Sequence, residues 1–176
     1  TAQIAFFTLE AQGVEAKVPA IVSDTILINI SKLPDATIIG SKEIDAMREA
    51  GRIVADTLLV LAAAAKTGVS TAELDRIAAS ELARKNVKPA FLGYHGFPAT
   101  LCVSVNSEVV HGIPSAKRGL REGDLVSLDF GCIVRGFYAD AALTVGVGKV
   151  TPQAQKLMRS VEEKFASDGA YYETAS

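Results

Sequence analysis

Short runs of β-branched and aromatic residues occupy residues 1–33 of the chain. Ile26, Ile28 and Ile30 recur at every second position, which is the period of a strand with one buried face. The pattern predicts a β-rich N-terminal extension over residues 1–35. Because it contains no catalytic motif, we expect it to be either an extra sheet edge that packs against the main domain or a strand that binds a partner.

From Ser41 onward the apolar positions recur in alternating steps of three and four, the spacing of an amphipathic helix. The first helix is predicted to be capped by Ser41 and to stop at Lys66. The second is predicted to begin at Ser70 with a capping box, in which the Glu73 carboxylate reaches back to the Ser70 amide, and to end at Asn86. The positions predicted to be buried are Ile44, Met47, Gly51, Val54, Leu58, Leu61 and Ala65, then Leu74, Ile77, Ala78 and Leu82.

Three strands and a last helix are predicted beyond a loop rich in glycine, proline and aromatic residues. The strands cover residues 101–106, 125–133 and 136–145, and the last two form a hairpin. Val126, Leu128 and Phe130 alternate onto the face predicted to fill the core. Thr151-Pro152 begins the final helix, because proline suits the first helical position. The order predicts an α/β (α+β) domain over residues 36–176.

The composition of the chain argues against several classes of protein, including nucleic-acid binders and membrane-spanning proteins. Hydrophobic residues make up 49% of the chain, and 18 basic against 20 acidic side chains give a formal net charge of −2. This balance predicts no binding to nucleic acid or to an acidic membrane surface. The longest apolar run, residues 58–65, is too short to cross a bilayer. With no basic segment followed by an apolar block, we expect no secretory signal, a cytoplasmic location, and free thiols at Cys102 and Cys132.

Two aspartates, Asp129 and Asp140, lie on the two strands of the predicted hairpin. If the hairpin turns near Val134-Arg135, the two aspartates pair directly across the strands, with Cβ atoms roughly 4.5–5.5 Å apart. Carboxylates so placed repel each other unless one is protonated or a cation lies between them. Bridging carboxylates at a two-metal site fit this geometry. Solvated aspartates on an exposed face, or a different register, are the alternatives.

His111 is the second candidate for chemistry. It precedes glycine and proline in Val110-His111-Gly112-Ile113-Pro114, which predicts a loop where an imidazole contacts a substrate or a metal. A simply solvated loop histidine is the alternative. The only other histidine, His95, offers less to distinguish it.

Seven motifs, in this order and spacing over residues 40–165, resemble those of the type I methionine aminopeptidases. They are Ile44-x-x-Met47-Arg48-x-Ala50-Gly51, Thr71-x-Glu73-Leu74-Asp75, Gly93-Tyr94-His95-Gly96-Phe97-Pro98, Cys102-x-Ser104-x-Asn106, Val110-His111-Gly112-Ile113-Pro114, Gly123-Asp124-x-x-x-Leu128-Asp129-Phe130-Gly131 and Gly136-Phe137-x-Ala139-Asp140. The resemblance implies a pita-bread fold of two pseudo-symmetric halves, of which this chain matches the first.

The resemblance also implies a reaction and a set of site residues. Members of the family remove the initiator methionine from nascent chains, using two divalent ions such as Co, Mn, Fe or Zn. Asp129 and Asp140 match two of the metal ligands, and His111 matches the histidine that hydrogen-bonds the substrate. The pocket for the methionine side chain is matched by Tyr94, Phe97 and Cys102.

The sequence departs from the family pattern in its ligands. The second half of the family's fold supplies a histidine and two glutamates to the metals, whereas no histidine follows His111 here. We therefore expect the chain to be incompetent as a peptidase by itself. Three alternatives stay open: a part of an enzyme that is active when the missing half is supplied, a pseudo-peptidase that binds another protein, or a homodimer that imitates the missing lobe.

Overall fold

The computed structural model describes residues 40–167. The chain divides into two compact units, Thr1–Ile44 and Asp45–Ser176, and the sheet and its core belong to the second. The predicted β-rich extension and its boundary near residue 35 lie outside the described residues and stay predictions. None of the described helices is long and apolar enough to cross a membrane.

Three helices and one antiparallel sheet make up the described residues, which confirms the predicted α/β (α+β) class. In chain order they are α1 (Ser41–Ala64), α2 (Thr71–Lys85), β1 (Lys88–Pro89), a 3-10 turn (Tyr94–Gly96), β2 (Leu101–Val105), β3 (Leu125–Val134), β4 (Phe137–Gly146) and α3 (Pro152–Ser167). Each helix and strand predicted within residues 40–167 is present, with ends that differ by one or two residues.

Local backbone and side-chain features explain where α2 and α3 begin and where α2 ends. The Ser70 hydroxyl accepts a hydrogen bond from the Glu73 amide, so the predicted cap of α2 is confirmed. Asn86 ends α2 with a left-handed backbone (φ 54°), a conformation that asparagine tolerates better than most residues. The Thr151 hydroxyl accepts from the Ala154 amide, which caps α3 in the same way.

β3 is the central strand of the sheet. β1 and β2 pair with successive parts of one edge of β3, and β4 pairs with the other edge. The inner face of β3 presents Val126, Leu128 and Phe130, all fully buried as predicted. These side chains join apolar residues of α1, α2 and β2 in one core cluster. The sheet therefore has a core face covered by helices and an opposite face, called the outer face below.

The buried stripe of α1 differs in part from the prediction. Leu58 and Leu61 are buried as expected, but Met47 is 43% exposed and Gly51 is also exposed. The buried positions within α1 are Ala46, Ala50, Ile53, Val54, Thr57, Leu58 and Leu61. Thr57 is tolerated in the core because its hydroxyl donates to the Ile53 carbonyl one turn earlier. In the first half of the helix the buried face is thus rotated from Met47 and Gly51 toward Ala46 and Ala50.

Candidate metal centre

The outer face of the sheet brings polar side chains from three strands together. Cys102 of β2 pairs with Asp129 of β3, and Asp129 pairs in turn with Ala142 of β4. Ser104 and Ser127 pair one step further along. Because cross-strand partners point to the same side of a sheet, all of these side chains lie on the outer face.

Asp129 and Asp140 are diagonal neighbours, so the predicted direct pairing is wrong. Asp140 pairs with Gly131, two residues beyond Asp129. The cause is the turn, which uses Arg135 and Gly136 as its two central residues, both with positive φ (50° and 89°). Two-residue hairpins favour this backbone because its twist matches that of the strands, and glycine suits it. The turn is one residue later than predicted, which shifts the pairing by two.

The two carboxyl groups nevertheless meet. Diagonal side chains on one face of a sheet remain within reach of each other when they are long enough, and the side chains of Asp129 and Asp140 form a hydrogen bond. Partial burial, together with the negative charge and hydrogen bond of Asp140, raises the pKa of Asp129 to about 6. The pair is therefore an electrostatic site that a proton or a cation stabilises.

We expect the metal-free chain to lose stability as pH rises from about 4 to about 6. In this window folded Asp129 keeps a proton that the unfolded chain has released, so folding is favoured below the window and less favoured above it. Asp129→Asn removes this penalty. At pH 7.5 in EDTA its free energy of unfolding should exceed that of the wild type by roughly 1–2 kcal/mol, after discounting for partial solvent exposure, and the gain should vanish near pH 4.

Urea denaturation at the two pH values measures this difference. Asp56→Asn is the matched control, because Asp56 is an exposed carboxylate whose ion pair with Lys85 lies on the surface and contributes little. We expect Asp56→Asn to show the same change in unfolding free energy between the two pH values as the wild type. If Asp129→Asn also showed that change, the carboxyl pair would not be the cause of the pH dependence.

Cys102 lies beside the carboxyl pair as a neutral group. Its side chain is buried, and burial raises the pKa of the thiol to about 11, with a smaller contribution in the same direction from the charges of Asp129 and Asp140. The thiol is therefore protonated at neutral pH. It forms an apolar wall next to the carboxylates and is not an anionic ligand. Both Cys102 and Cys132 are free thiols, as predicted.

His111 lies in the connection between β2 and β3, and its charge lowers the pKa of Asp129 against the stronger effects described above. The histidine thus lies within electrostatic range of Asp129, although eighteen positions separate the two residues in the sequence. Its backbone has a positive φ of 53°, which is uncommon for a residue other than glycine. The strand pairing therefore brings Cys102, Asp129 and Asp140 together on the outer face, and His111 lies within electrostatic range of Asp129.

Tyr94 and Phe97 lie apart in the chain, on the connection from β1 to β2. Tyr94 is 66% exposed, and its ring meets that of His95 edge-on at 4.4 Å between centroids. Phe97 is half-buried, and its amide donates to the Tyr94 carbonyl. The described contacts join these aromatic residues to each other and not to the carboxyl pair, so their predicted place in a substrate pocket stays a prediction.

Phe91 is a neighbour of the site that the sequence patterns did not reveal. A Cβ placed on Gly131 would lie 3.0 Å from the Phe91 ring and 3.0 Å from the Ala139 carbonyl oxygen. Since Gly131 pairs with Asp140, the Phe91 ring lies against the outer face at the strand position opposite Asp140. A glycine inside a strand indicates such a close approach of another segment, and Gly131 was the available signal.

The two carboxyl groups are of a chemical type that binds divalent cations. Carboxylate oxygens suit divalent ions, and the two carboxyl groups are close enough to share a proton. Among the side chains that the structure describes, however, no group of three or more histidine, cysteine, aspartate or glutamate residues could hold a metal ion. Asp129 and Asp140 are therefore one part of a ligand set, and the described residues do not complete it.

Comparison with known proteins defines the class to which this fold and site belong. The model of metallopeptidase family M24 matches residues 45–166, and the chain belongs to this family. Among its relatives, the methionine aminopeptidase of Clostridium acetobutylicum is 50% identical over 123 residues, which cover 70% of this chain and 49% of that protein. Methionine aminopeptidase 1 of Bacillus subtilis is 45% identical over 124 residues, covering 70% and 50%.

Solved structures agree with the sequence comparison. The methionine aminopeptidase of Thermotoga maritima superimposes with a TM-score of 0.70 at 37% identity, over 72% of this chain and 51% of that one. The X-Pro aminopeptidase of the same organism, at 15% identity and a TM-score of 0.55, shares the fold. The chain spans about half the length of the methionine aminopeptidases that it matches.

Proposed function

We propose that this chain forms the part of a methionine aminopeptidase that contributes Asp129 and Asp140 to a divalent metal site. The observation that supports the proposal is the hydrogen-bonded carboxyl pair on the outer face of the sheet, in a chain that belongs to metallopeptidase family M24. The relatives with the highest identities named above are methionine aminopeptidases. Removal of an N-terminal methionine from nascent chains in the cytoplasm is the corresponding reaction.

Asp129 and Asp140 would hold the metal together with ligands from outside the described residues. When bound, divalent ions polarise the substrate carbonyl and lower the pKa of an attacking water. The carboxyl proton of the pair must leave before a cation binds, because the same oxygens would hold both. We therefore expect metal affinity to rise with pH through the pKa of Asp129, about 6.

His111, Tyr94, Phe97 and Cys102 would contact the substrate. The His111 imidazole, within electrostatic range of Asp129, would hydrogen-bond the peptide next to the bond that is cleaved. The protonated Cys102 thiol offers an apolar surface beside the carboxylates, and aromatic rings and sulfur both pack well against a methionine thioether. Tyr94 and Phe97 would complete that pocket.

Calorimetric titration of the chain with Mn²⁺ or Co²⁺ at pH 7.5 tests the metal proposal. We expect saturable binding, weakened at least about tenfold in Asp129→Asn and unchanged in the control Asp56→Asn, whose carboxylate lies on the surface of α1. Release of methionine from a Met-Ala-Ser peptide, measured with the same three proteins, shows whether the chain hydrolyses the substrate.

Light scattering on the same samples distinguishes a monomer from a homodimer. If no metal bound at any pH above 6, or if Asp129→Asn bound as tightly as the wild type, the proposal would be wrong. The pseudo-peptidase that binds a protein partner without turnover would then be the better description.

A further inference from the structure

The connection between β2 and β3 is fastened to β2 at Gly112 by two hydrogen bonds. The Gly112 carbonyl accepts from the Val103 amide at 2.9 Å. The Gly112 amide donates to the Ser104 hydroxyl at 3.1 Å. The residue that follows His111 is therefore held on both its N–H and its C=O side by neighbouring residues of one strand.

The contact between this loop and β2 is a contact between backbones. A Cβ placed on Gly112 would lie 2.1 Å from the Val103 carbonyl oxygen and 2.7 Å from its carbon. No side chain fits in that space, so the peptide of Gly112 lies directly on the strand. Any change in the position of this peptide also moves His111, since the two residues share a peptide bond.

The backbone before Gly112 is in an unfavourable conformation. Val110 and His111 both have positive φ, 41° and 53°, and for a β-branched residue such as valine this conformation is a clear outlier. Residues in this region persist only where the surrounding structure holds them. The hydrogen bonds of Gly112 hold the residue that directly follows these two strained residues.

Ser104 is built into the sheet rather than into the loop. Its side chain is 4% exposed, and its pairing with Ser127 places it on the outer face, two residues from Cys102. A buried hydroxyl must be hydrogen-bonded, and this one accepts from the Gly112 amide. The rigid strand that carries a wall of the site thus also carries the group that holds the loop.

We propose that Ser104 is a positioning residue for His111: its hydroxyl, by accepting the Gly112 amide proton, holds the strained Val110-His111 backbone and with it the position of the His111 imidazole. The inference rests on the role proposed above for His111. It is independent of the metal, because the hydrogen bonds involved all lie within the chain.

Nuclear magnetic resonance of the full chain in EDTA tests this linkage. The chain has two histidines, so the imidazole signal of His95 is an internal reference for that of His111. In Ser104→Ala we expect the His111 imidazole signal to shift or broaden while the His95 signal is unchanged. The Gly112 amide should exchange with solvent at least about tenfold faster than in the wild type.

Ser127→Ala is the matched control. It removes a hydroxyl from the same face of the sheet, one that bonds to Thr144 and not to the loop. We expect it to leave both histidine signals and the Gly112 amide unchanged. Equal effects of the two substitutions would show that Ser104 has only a general structural role, and an unmoved His111 signal in Ser104→Ala would overturn the proposal.

The wild type provides a test that does not depend on folding of the variant. The Gly112 amide should be protected from exchange to a degree similar to neighbouring amides of β2, and exchange at the rate of an unstructured peptide would overturn the proposal. Failure of metal binding would overturn the proposed function alone, since the resonance and exchange measurements use neither metal nor substrate.

Discussion

Replacement of Phe130 by alanine is expected to lower the free energy of unfolding by about 3–5 kcal/mol. Phe130 is fully buried on the inner face of β3, the central strand, where its pairing partners are Leu101 of β2 and Ala141 of β4. Among the residues that the structure describes, it is the largest of the fully buried side chains. Its removal leaves a cavity that the surrounding helices and strands fill only in part. Urea denaturation followed by circular dichroism measures the loss.

Tyr138→Ala is the matched control for Phe130→Ala. Tyr138 lies on the same hairpin, is also aromatic, and is 66% exposed. Because little of its ring is removed from water in the folded chain, we expect a change within about 0.5 kcal/mol. Similar losses from both substitutions would mean that the inner face of β3 is not the centre of the core.

Gly112→Ala is expected to cost about 2–3 kcal/mol, although it adds a single methyl group. The added Cβ would overlap the Val103 carbonyl, so either the loop or β2 must move. Both atoms in conflict belong to backbones, which have no alternative rotamer to relieve the overlap. We expect the loop to detach at Gly112, which also releases His111 from the site. Denaturation curves give the energetic cost, and the His111 imidazole signal reports the detachment.

Gly51→Ala provides a control with the opposite expected sign. Gly51 lies within α1, where an added Cβ meets no atom within 4 Å. Alanine lowers the conformational entropy of the unfolded chain and favours a helix, so this substitution should stabilise by about 0.5–1 kcal/mol. A loss in Gly112→Ala no larger than that in Gly51→Ala would show that close contact with β2 is not the reason for glycine at residue 112.

The resemblance of the motifs correctly indicated the M24 family, but it did not give the geometry of the site. Asp129 and Asp140 were predicted from the strand pattern to share a face, and they do. The predicted direct pairing failed because Arg135 adopts a positive φ beside Gly136. A basic residue before glycine is a weaker signal for this turn than asparagine or aspartate, whose side chains favour it.

The buried face of α1 was also predicted only in part from the sequence. Apolar and alanine residues cover several sides of this helix, so more than one stripe agrees with the sequence. Packing in the core cluster selects Ala46, Ala50 and Ile53 over Met47 and Gly51. Small side chains are buried there because they allow the helix to approach its neighbours closely. Which side of α1 is buried depends on the shape of the segments that pack against it, and the local pattern of residues carries no information about that shape.

By itself the sequence determined the elements whose causes are local. Ser70 begins α2 through a bond to a residue three positions away, and Val126, Leu128 and Phe130 face the core because strand side chains alternate. Only the tertiary structure decided which of the remaining side chains meet. Gly112 beside His111 bonds to β2, and Phe91 reaches Gly131, through segments distant in sequence whose docking depends on the shape of the folded sheet. Local rules fix the conformation of each segment, whereas its contacts depend on the space that all the other segments leave.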